Sequence, residues 1–282
     1  MTTITLEAVP DGVPAPYVSV AVDDHPEASA RCTVWRTHGG RSFRVRGLVK
    51  VSTAGLVSGL DTEAPFAESS YRVEYFDESG IFLEWSETEE VTLSGLEPGW
   101  AWMHDPFDPA TSLKVRFEWS TAAEIMRSTP SDRVRQPSRS VGIAFAGTRS
   151  GVEGLVLDVW TPSFADADRL DAMLGLYDVP GPSILCVRTN RQMRIPATLF
   201  AEVPKSLYRP YGARRGSEHG DWSMAVDEVA PPVEAVIRAL LDYADFEAYY
   251  TDAGGDYAAF TAAYADYAQA QVDYSIAGYA DA

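Results

Sequence analysis

The chain has 282 residues, enough for two domains, and its 46% apolar and 23% charged residues are typical of a folded globular protein and exclude a disordered one. The formal net charge of −18 is divided as −9 over residues 1–100, −1 over 101–232 and −8 over 233–282. With no basic stripe that could follow phosphates, neither nucleic acid nor an anionic membrane surface is a predicted partner.

The cysteine pattern and the hydropathy bear on where the chain folds. Cys32 and Cys186 are the only cysteines and lie in separate apolar runs, so we predict two buried free thiols. We find no signal-peptide pattern and no apolar run of about 18 residues, and we predict neither a leader nor a membrane span. We therefore expect the protein to be made and folded in the cytoplasm.

Residues 17–93 consist of short extended runs separated by turns. In YRVEYF, apolar side chains alternate with charged ones at the period of two that suits a strand with one buried face. Turn signals such as DESG separate the runs at hairpin distances, which indicates a β-sandwich over residues 1–100. The predicted strands are YVSVAV (17–22), RCTVWRT (31–37), SFRVRGL (42–48), YRVEYF (71–76), IFLEW (81–85) and EEVTL (89–93).

A proline-rich stretch, PGWAWMHDPFDPA (98–110), marks the predicted boundary between the first domain and a second one at 101–232. Its prolines and two tryptophans predict an extended connector held by packed rings.

The second domain is predicted to be a β-rich α+β domain with one helix. Ser163 and Asp166 have the spacing of a capping box, and the four apolar residues after them lie on one helical face: Leu170, Met173, Leu174 and Tyr177. DVPG (178–181) is predicted to end the helix. The predicted strands are LKVRFEW (113–119), SVGIAFAGT (140–148), GLVLDVWT (154–161), SILCVRTN (183–190), ATLFAEV (197–203) and DWSMAVDEV (221–229).

Catalytic motifs are missing from the sequence: it has no HExxH, GxSxG, dinucleotide-binding glycine motif or phosphate loop. The only metal-ligand candidate, His104 with Asp105 and Asp108, is better explained as turn chemistry between prolines. We therefore predict no enzyme activity, no cofactor and no metal.

The one basic concentration of the chain falls in and beside the polar segment 128–140, which is predicted to be an exposed loop or an arm on a neighbour. A solvated loop would explain these arginines, but docking onto an acidic surface is the preferred interpretation, because both ends of the chain are acidic. The arginines are Arg127, Arg133, Arg135, Arg139 and Arg149; the predicted partner-binding set includes Arg133, Arg135 and Arg139.

The C-terminal segment 233–282 carries aromatic rings on two heptad tracks, which place them along one helical seam. Gly254 and Gly255 divide it into two predicted helices, about 233–252 and 256–278. An amphipathic hairpin folded on its own domain would explain the pattern; we instead predict docking on another subunit or protein, because tyrosine suits a partly wet interface. The predicted docking residues are Tyr243, Phe246, Tyr250, Tyr257, Phe260, Tyr264, Tyr267 and Tyr274.

Taken together, these segments resemble the minor tail proteins of siphophages that infect actinobacteria. SSYRVEYFDESG (69–80) resembles the late strands of a fibronectin-III-like domain, and WMHDPFDPATSLKVRF (102–117) resembles the connector that leaves it. GVEGLVLDVWTPSFADADRLDAMLG (151–175) and WSMAVDEVAPP (222–232) resemble the second half of distal-tail-like proteins. Members of the family typically close with repeats of Thr-Trp-Ala-Asp type, where this chain has tyrosine and phenylalanine.

This resemblance implies a structural virion protein of the tail tip or baseplate that joins the tail tube to the hub or to receptor-binding parts. Its partners would be copies of itself in a ring, as a hexamer or a trimer, together with neighbouring tail proteins. The alternatives are a carbohydrate-binding module that uses aromatic residues such as Trp100, Trp102 and Tyr211, and a hydrolase. No catalytic residue follows from the resemblance.

Overall fold

The computed structural model of the chain describes residues 3–134, 141, 143–175, 184–190, 194–210, 218–232 and 247–249. These residues are mainly β, as the sequence predicts, and their sheets are antiparallel. Two hydrophobic cores are present, one drawn from residues between 18 and 93 and the other from residues between 101 and 226. No helix among the described residues is long and apolar enough to cross a membrane.

The described residues before 100 form two sheets, which we call the N-terminal sheets. One has the order β1-β2-β6; the other has the order β4-β3-β7-β8, with β5 beside β3 and β9 beside β7. The strands are β1 (Thr3–Val9), β2 (Tyr17–Asp23), β3 (Arg31–His38), β4 (Arg41–Arg44), β5 (Val51–Ser52), β6 (Val57–Asp61), β7 (Glu68–Phe76), β8 (Phe82–Trp85) and β9 (Glu89–Thr92).

The alternating side chains of these strands build the first core. Val18, Val20 and Val22 of β2 are buried, as are Tyr71 and Val73 of β7, because every second residue of a strand points to the same face. The predicted period of two in YRVEYF is thereby confirmed.

The described residues from 100 onward form a closed six-stranded barrel with the order β10-β11-β14-β17-β16-β15. Two further strands, β12 and β13, pair with each other and with no other described strand. The strands are β10 (Trp100–Asp105), β11 (Asp108–Phe117), β12 (Ser131–Val134), β13 (Ile143–Ala146), β14 (Leu155–Thr161), β15 (Ile184–Arg188), β16 (Thr198–Pro210) and β17 (Gly220–Glu228).

One helix, α1 (Phe164–Leu174), packs against β11 and β14 of the barrel. Its first turn is capped as predicted, because the Ser163 hydroxyl accepts a hydrogen bond from the Asp166 N–H at 3.1 Å. Leu170 and Met173 are buried on the barrel side. The helix ends at Gly175, whose φ of 102° suits glycine, before the predicted stop at 178–181.

Three local predictions are corrected by the structure. The stretch predicted as a connector is instead a hairpin. Its strands β10 and β11 pair with each other and form two of the six strands of the barrel. The run SFRVRGL is a strand only through Arg44, because the next residues turn back toward β3. Residues 197–203 belong to a strand that continues to Pro210, paired along β17.

Candidate assembly interface

A row of buried polar groups joins the N-terminal sheets to the barrel; we call it the polar seam. Arg46, which follows β4, forms an ion pair with Glu63, with 2.7 Å between Nε and Oε1. Its Nη atoms lie 3.4 and 3.5 Å from the carbonyl oxygen of Pro232, beyond the last barrel strand. The guanidinium also lies over the ring of Phe107, 5.6 Å from its centroid. One side chain thus contacts residues at both ends of the barrel sequence.

Arg188 crosses the seam in the opposite direction, from the end of β15. It is fully buried and donates from Nε to the carbonyl of Ala64 at 2.8 Å and from Nη2 to that of Pro16 at 2.7 Å. Burial lowers the pKa of Arg188 to about 10. Beside it, the hydroxyl of Thr198 donates to the carbonyl of Glu63 at 2.9 Å. Backbone carbonyls of the N-terminal sheets are therefore satisfied by barrel side chains.

A third buried cluster lies within the N-terminal sheets. Asp61, at the end of β6, accepts hydrogen bonds from Arg36 Nη1 on both carboxylate oxygens at 2.5 and 2.6 Å and from the Tyr71 hydroxyl at 2.9 Å. The Glu63 N–H donates to the same carboxylate at 3.0 Å. Burial, and then the Asp61 charge, raises the pKa of Tyr71, so the phenol remains a donor.

His104 lies between the seam arginines. It is fully buried, and neither ring nitrogen has a hydrogen-bond partner among the residues described. Burial lowers the pKa of His104 most, and the positive charges of Arg188 and Arg46 lower it further. The ring is therefore neutral.

Asp105 and Asp108, the two carboxylates predicted near His104 as possible ligands, accept hydrogen bonds from backbone N–H groups of their own turn. Within the described ranges, no group of three histidine, cysteine or acidic side chains has the arrangement of a metal site. The hydrogen bonds of Asp105 and Asp108 are those of turn residues, as predicted, although the turn belongs to a hairpin and not to a linker.

The charged groups of the seam are buried, and most of their polar atoms contact other protein groups. At its rim Arg41 forms an ion pair with Glu228, and the rings of Phe43 and Phe200 lie 6.0 Å apart.

The hairpin β12–β13, which we call the arm, is exposed at the side chains of residues 131–134 and 144–146. Its paired residues run from Ser131 opposite Ala146 to Val134 opposite Ile143. Val134 is 51% exposed and Phe145 61% exposed, while the barrel core is complete without them. A two-stranded ribbon with uncovered apolar side chains and free edges is suited to pairing with another chain.

The predicted partner-binding residues fall largely outside the described residues. Arg133 is described: it lies on β12 of the arm and is exposed. Residues 247–249 are helical. Outside the described part lie Arg135, Arg139, Tyr243, Phe246, Tyr250, Tyr257, Phe260, Tyr264, Tyr267 and Tyr274.

The tryptophans considered for glycan binding do not form an open platform. Trp102 is half-buried and packs against the core of the N-terminal sheets, and Trp100 is half-buried beneath the ammonium of Lys114, 5.1 Å from its ring centroid. Tyr211 lies outside the described residues.

The seam residues were not predicted from the sequence. The available signal was a charged residue inside an apolar strand run, as in VWRT for Arg36 and LCVR for Arg188. Such a residue is rarely buried unless it is paired, which indicates a structural partner elsewhere in the chain.

Comparison of the chain with protein-family models, with curated proteins and with solved structures found no match.

Proposed function

We propose that this chain is a structural protein of a phage tail tip or baseplate, which assembles into an oligomeric ring and connects the tail tube to hub or receptor-binding parts. The observation that carries the proposal is the arm: an ordered hairpin with exposed apolar side chains, beside a barrel whose core is complete without it. A neighbouring subunit can pair with the edges of this ribbon and cover Val134 and Phe145.

The arrangement of the strands supports the finer fold assignment. A sheet of order β1-β2-β6 faces one that contains β4-β3-β7, as expected of a fibronectin-III-like sandwich. The barrel with one helix across it is consistent with a distal-tail-like domain. One fold can serve many functions, so the arm and its charges, and not the fold, support the proposed function.

Charge complementarity favours contact between copies of the chain. Arg133 is exposed on an arm that follows Arg127, while residues 1–100 and 233–282 are strongly acidic. A basic arm on one copy that meets an acidic surface on the next produces a heterologous contact, and repetition of such a contact around an axis closes a ring.

The test compares two doubly substituted full-length proteins by light scattering coupled to size exclusion and by negative-stain imaging. Val134→Asp with Phe145→Asp should abolish ring formation at an unchanged melting temperature, because both side chains are already exposed. Leu56→Asp with Ile81→Asp adds the same charge at exposed apolar sites away from the arm and should leave rings intact. Wild-type protein that remains monomeric with every neighbouring tail protein would refute the proposal.

Removal of residues 242–282 tests the C-terminal docking prediction. The described sheets and barrel should remain folded, since their cores use residues 18–226, while incorporation into particles is lost. Loss of the fold would instead indicate that the aromatic segment packs on its own chain.

Glycan attachment is the second candidate function, and it is favoured by an aromatic cluster on the outer face of the N-terminal sheets. The rings of Trp35 and Trp85 are 6.3 Å apart, and Phe82 lies 5.9 Å from Trp85. Arg44 and Arg72 contact the two indoles and offer donors beside them. Binding of host cell-wall polymer by monomers, lost in Trp35→Ala with Trp85→Ala, would favour this function over assembly.

A further inference from the structure

A cavity of about 240 Å³ opens between the β3–β4 hairpin and the start of β16. Four arginines and a histidine line it: Arg36, Arg41, Arg127, Arg194 and His38. None of the described residues that line it is acidic. Because like charges brought together repel one another, a bound anion would stabilise such a wall.

The protein supplies only part of that compensation. Asp61 pairs with Arg36, and Glu228 pairs with Arg41. The other two cavity arginines, Arg127 and Arg194, form no ion pair with any residue in the described ranges. Counted over the described residues, the wall therefore carries an excess of two positive charges.

Arg36 forms the buried part of the cavity wall, where its guanidinium also lies over the ring of Phe43, 5.4 Å from the centroid. The side chain is 1% exposed, and its Nε and Nη2 have no hydrogen-bond partner among the described residues. A buried guanidinium normally satisfies its donors, because an unpaired buried donor costs free energy. Here two donors remain unpaired on the one buried arginine of the cavity wall.

We propose that this cavity is an oxyanion-binding site that takes one phosphate or carboxylate group. The planar guanidinium fork matches both groups, and the volume suits a small anion or a single acidic substituent of a larger ligand. Arg127 and Arg194 provide the uncompensated charge, and Arg36 forms the buried wall. The proposal is independent of the assembly role, since ring formation uses the arm.

Isothermal titration of the full-length protein tests the proposal with two probes, inorganic phosphate and succinate, at constant ionic strength. We expect saturable binding of at least one probe. Arg127→Gln with Arg194→Gln should weaken that binding by about tenfold or more, since it removes two charged donors. Arg149→Gln with Arg209→Gln makes the same charge change at exposed sites outside the cavity and should alter affinity by less than about twofold.

The outcomes separate the alternatives. Tighter binding of phosphate assigns the site to a phosphate or phosphate ester, and tighter binding of succinate assigns it to a carboxylate. Equal weakening by both pairs of substitutions would mean general surface attraction and would overturn the proposal, as would the lack of saturable binding for both probes. If the double variant does not fold, Arg127→Gln alone provides the comparison.

Discussion

The buried carboxylate of Asp61 is the most informative single position for testing the energetics of the fold. Asp61→Asn keeps the shape of the side chain and removes its charge. The carboxylate is 2% exposed and accepts hydrogen bonds from Arg36, Tyr71 and the Glu63 N–H. Asparagine has one acceptor oxygen for these donors, and its NH2 group would face a guanidinium or a hydroxyl.

The expected cost follows from what remains buried. Arg36 loses its carboxylate partner, and its Nε and Nη2 are already without partners in the described structure. Removal of one partner of a buried ion pair costs about 3–5 kcal/mol, because the other charge stays in the interior uncompensated. Domains are stable by about 5–15 kcal/mol, so the N-terminal sheets should be strongly destabilised.

Urea denaturation followed by tryptophan fluorescence and far-UV circular dichroism measures this change. Asp11→Asn, at an exposed aspartate, is the matched control and should stay within about 0.5 kcal/mol of wild type. Arg36→Met with Asp61→Leu removes both charges and should cost less than Asp61→Asn. A loss below about 1 kcal/mol for Asp61→Asn would refute the reasoning that Arg36 depends on this carboxylate.

Three further predictions concern other buried groups. Burial lowers the pKa of His104, so below about pH 6.5 the unfolded chain binds a proton that the folded chain does not. The free energy of unfolding should therefore fall in this range, by up to about 1.4 kcal/mol per pH unit. His104→Leu should flatten this pH dependence of stability, measured by urea denaturation at several pH values. His219→Gln removes an exposed imidazole instead and should leave the pH dependence in place. Gly220→Ala should lower the free energy of unfolding by about 1–3 kcal/mol, because an added Cβ would lie 2.2 Å from the Tyr208 ring. Gly55→Ala meets open space and should be tolerated in the same thermal unfolding measurement. Both thiols should react with a disulfide reagent only after denaturation, because Cys32 and Cys186 are buried. Burial also raises the pKa of both thiols, to about 12 for Cys32. Reaction in the native protein would contradict the structure.

Local patterns allowed much of the fold to be predicted. The period of two predicted β7 and its buried face, and the Ser163–Asp166 spacing predicted the capped start of α1. Asp-Pro steps predicted turn chemistry at Asp105 and Asp108, and apolar context predicted two buried thiols. Each of these features depends on residues within a few positions of one another. Helices and strands have fixed side-chain periods, so such short-range patterns can be recognised in the sequence.

The barrel closure and the polar seam were decided only by the tertiary structure. β10 pairs with β15, some eighty residues later in the sequence, and this pairing turned a predicted connector into a barrel strand. Arg188 is buried because carbonyls of Pro16 and Ala64, far away in the sequence, accept its hydrogen bonds. The sequence by itself determined which residues turn inward along β7, where buried and partly exposed side chains alternate. The partners that make a buried charge tolerable lie on distant segments, and only the folded chain brings them within hydrogen-bond distance.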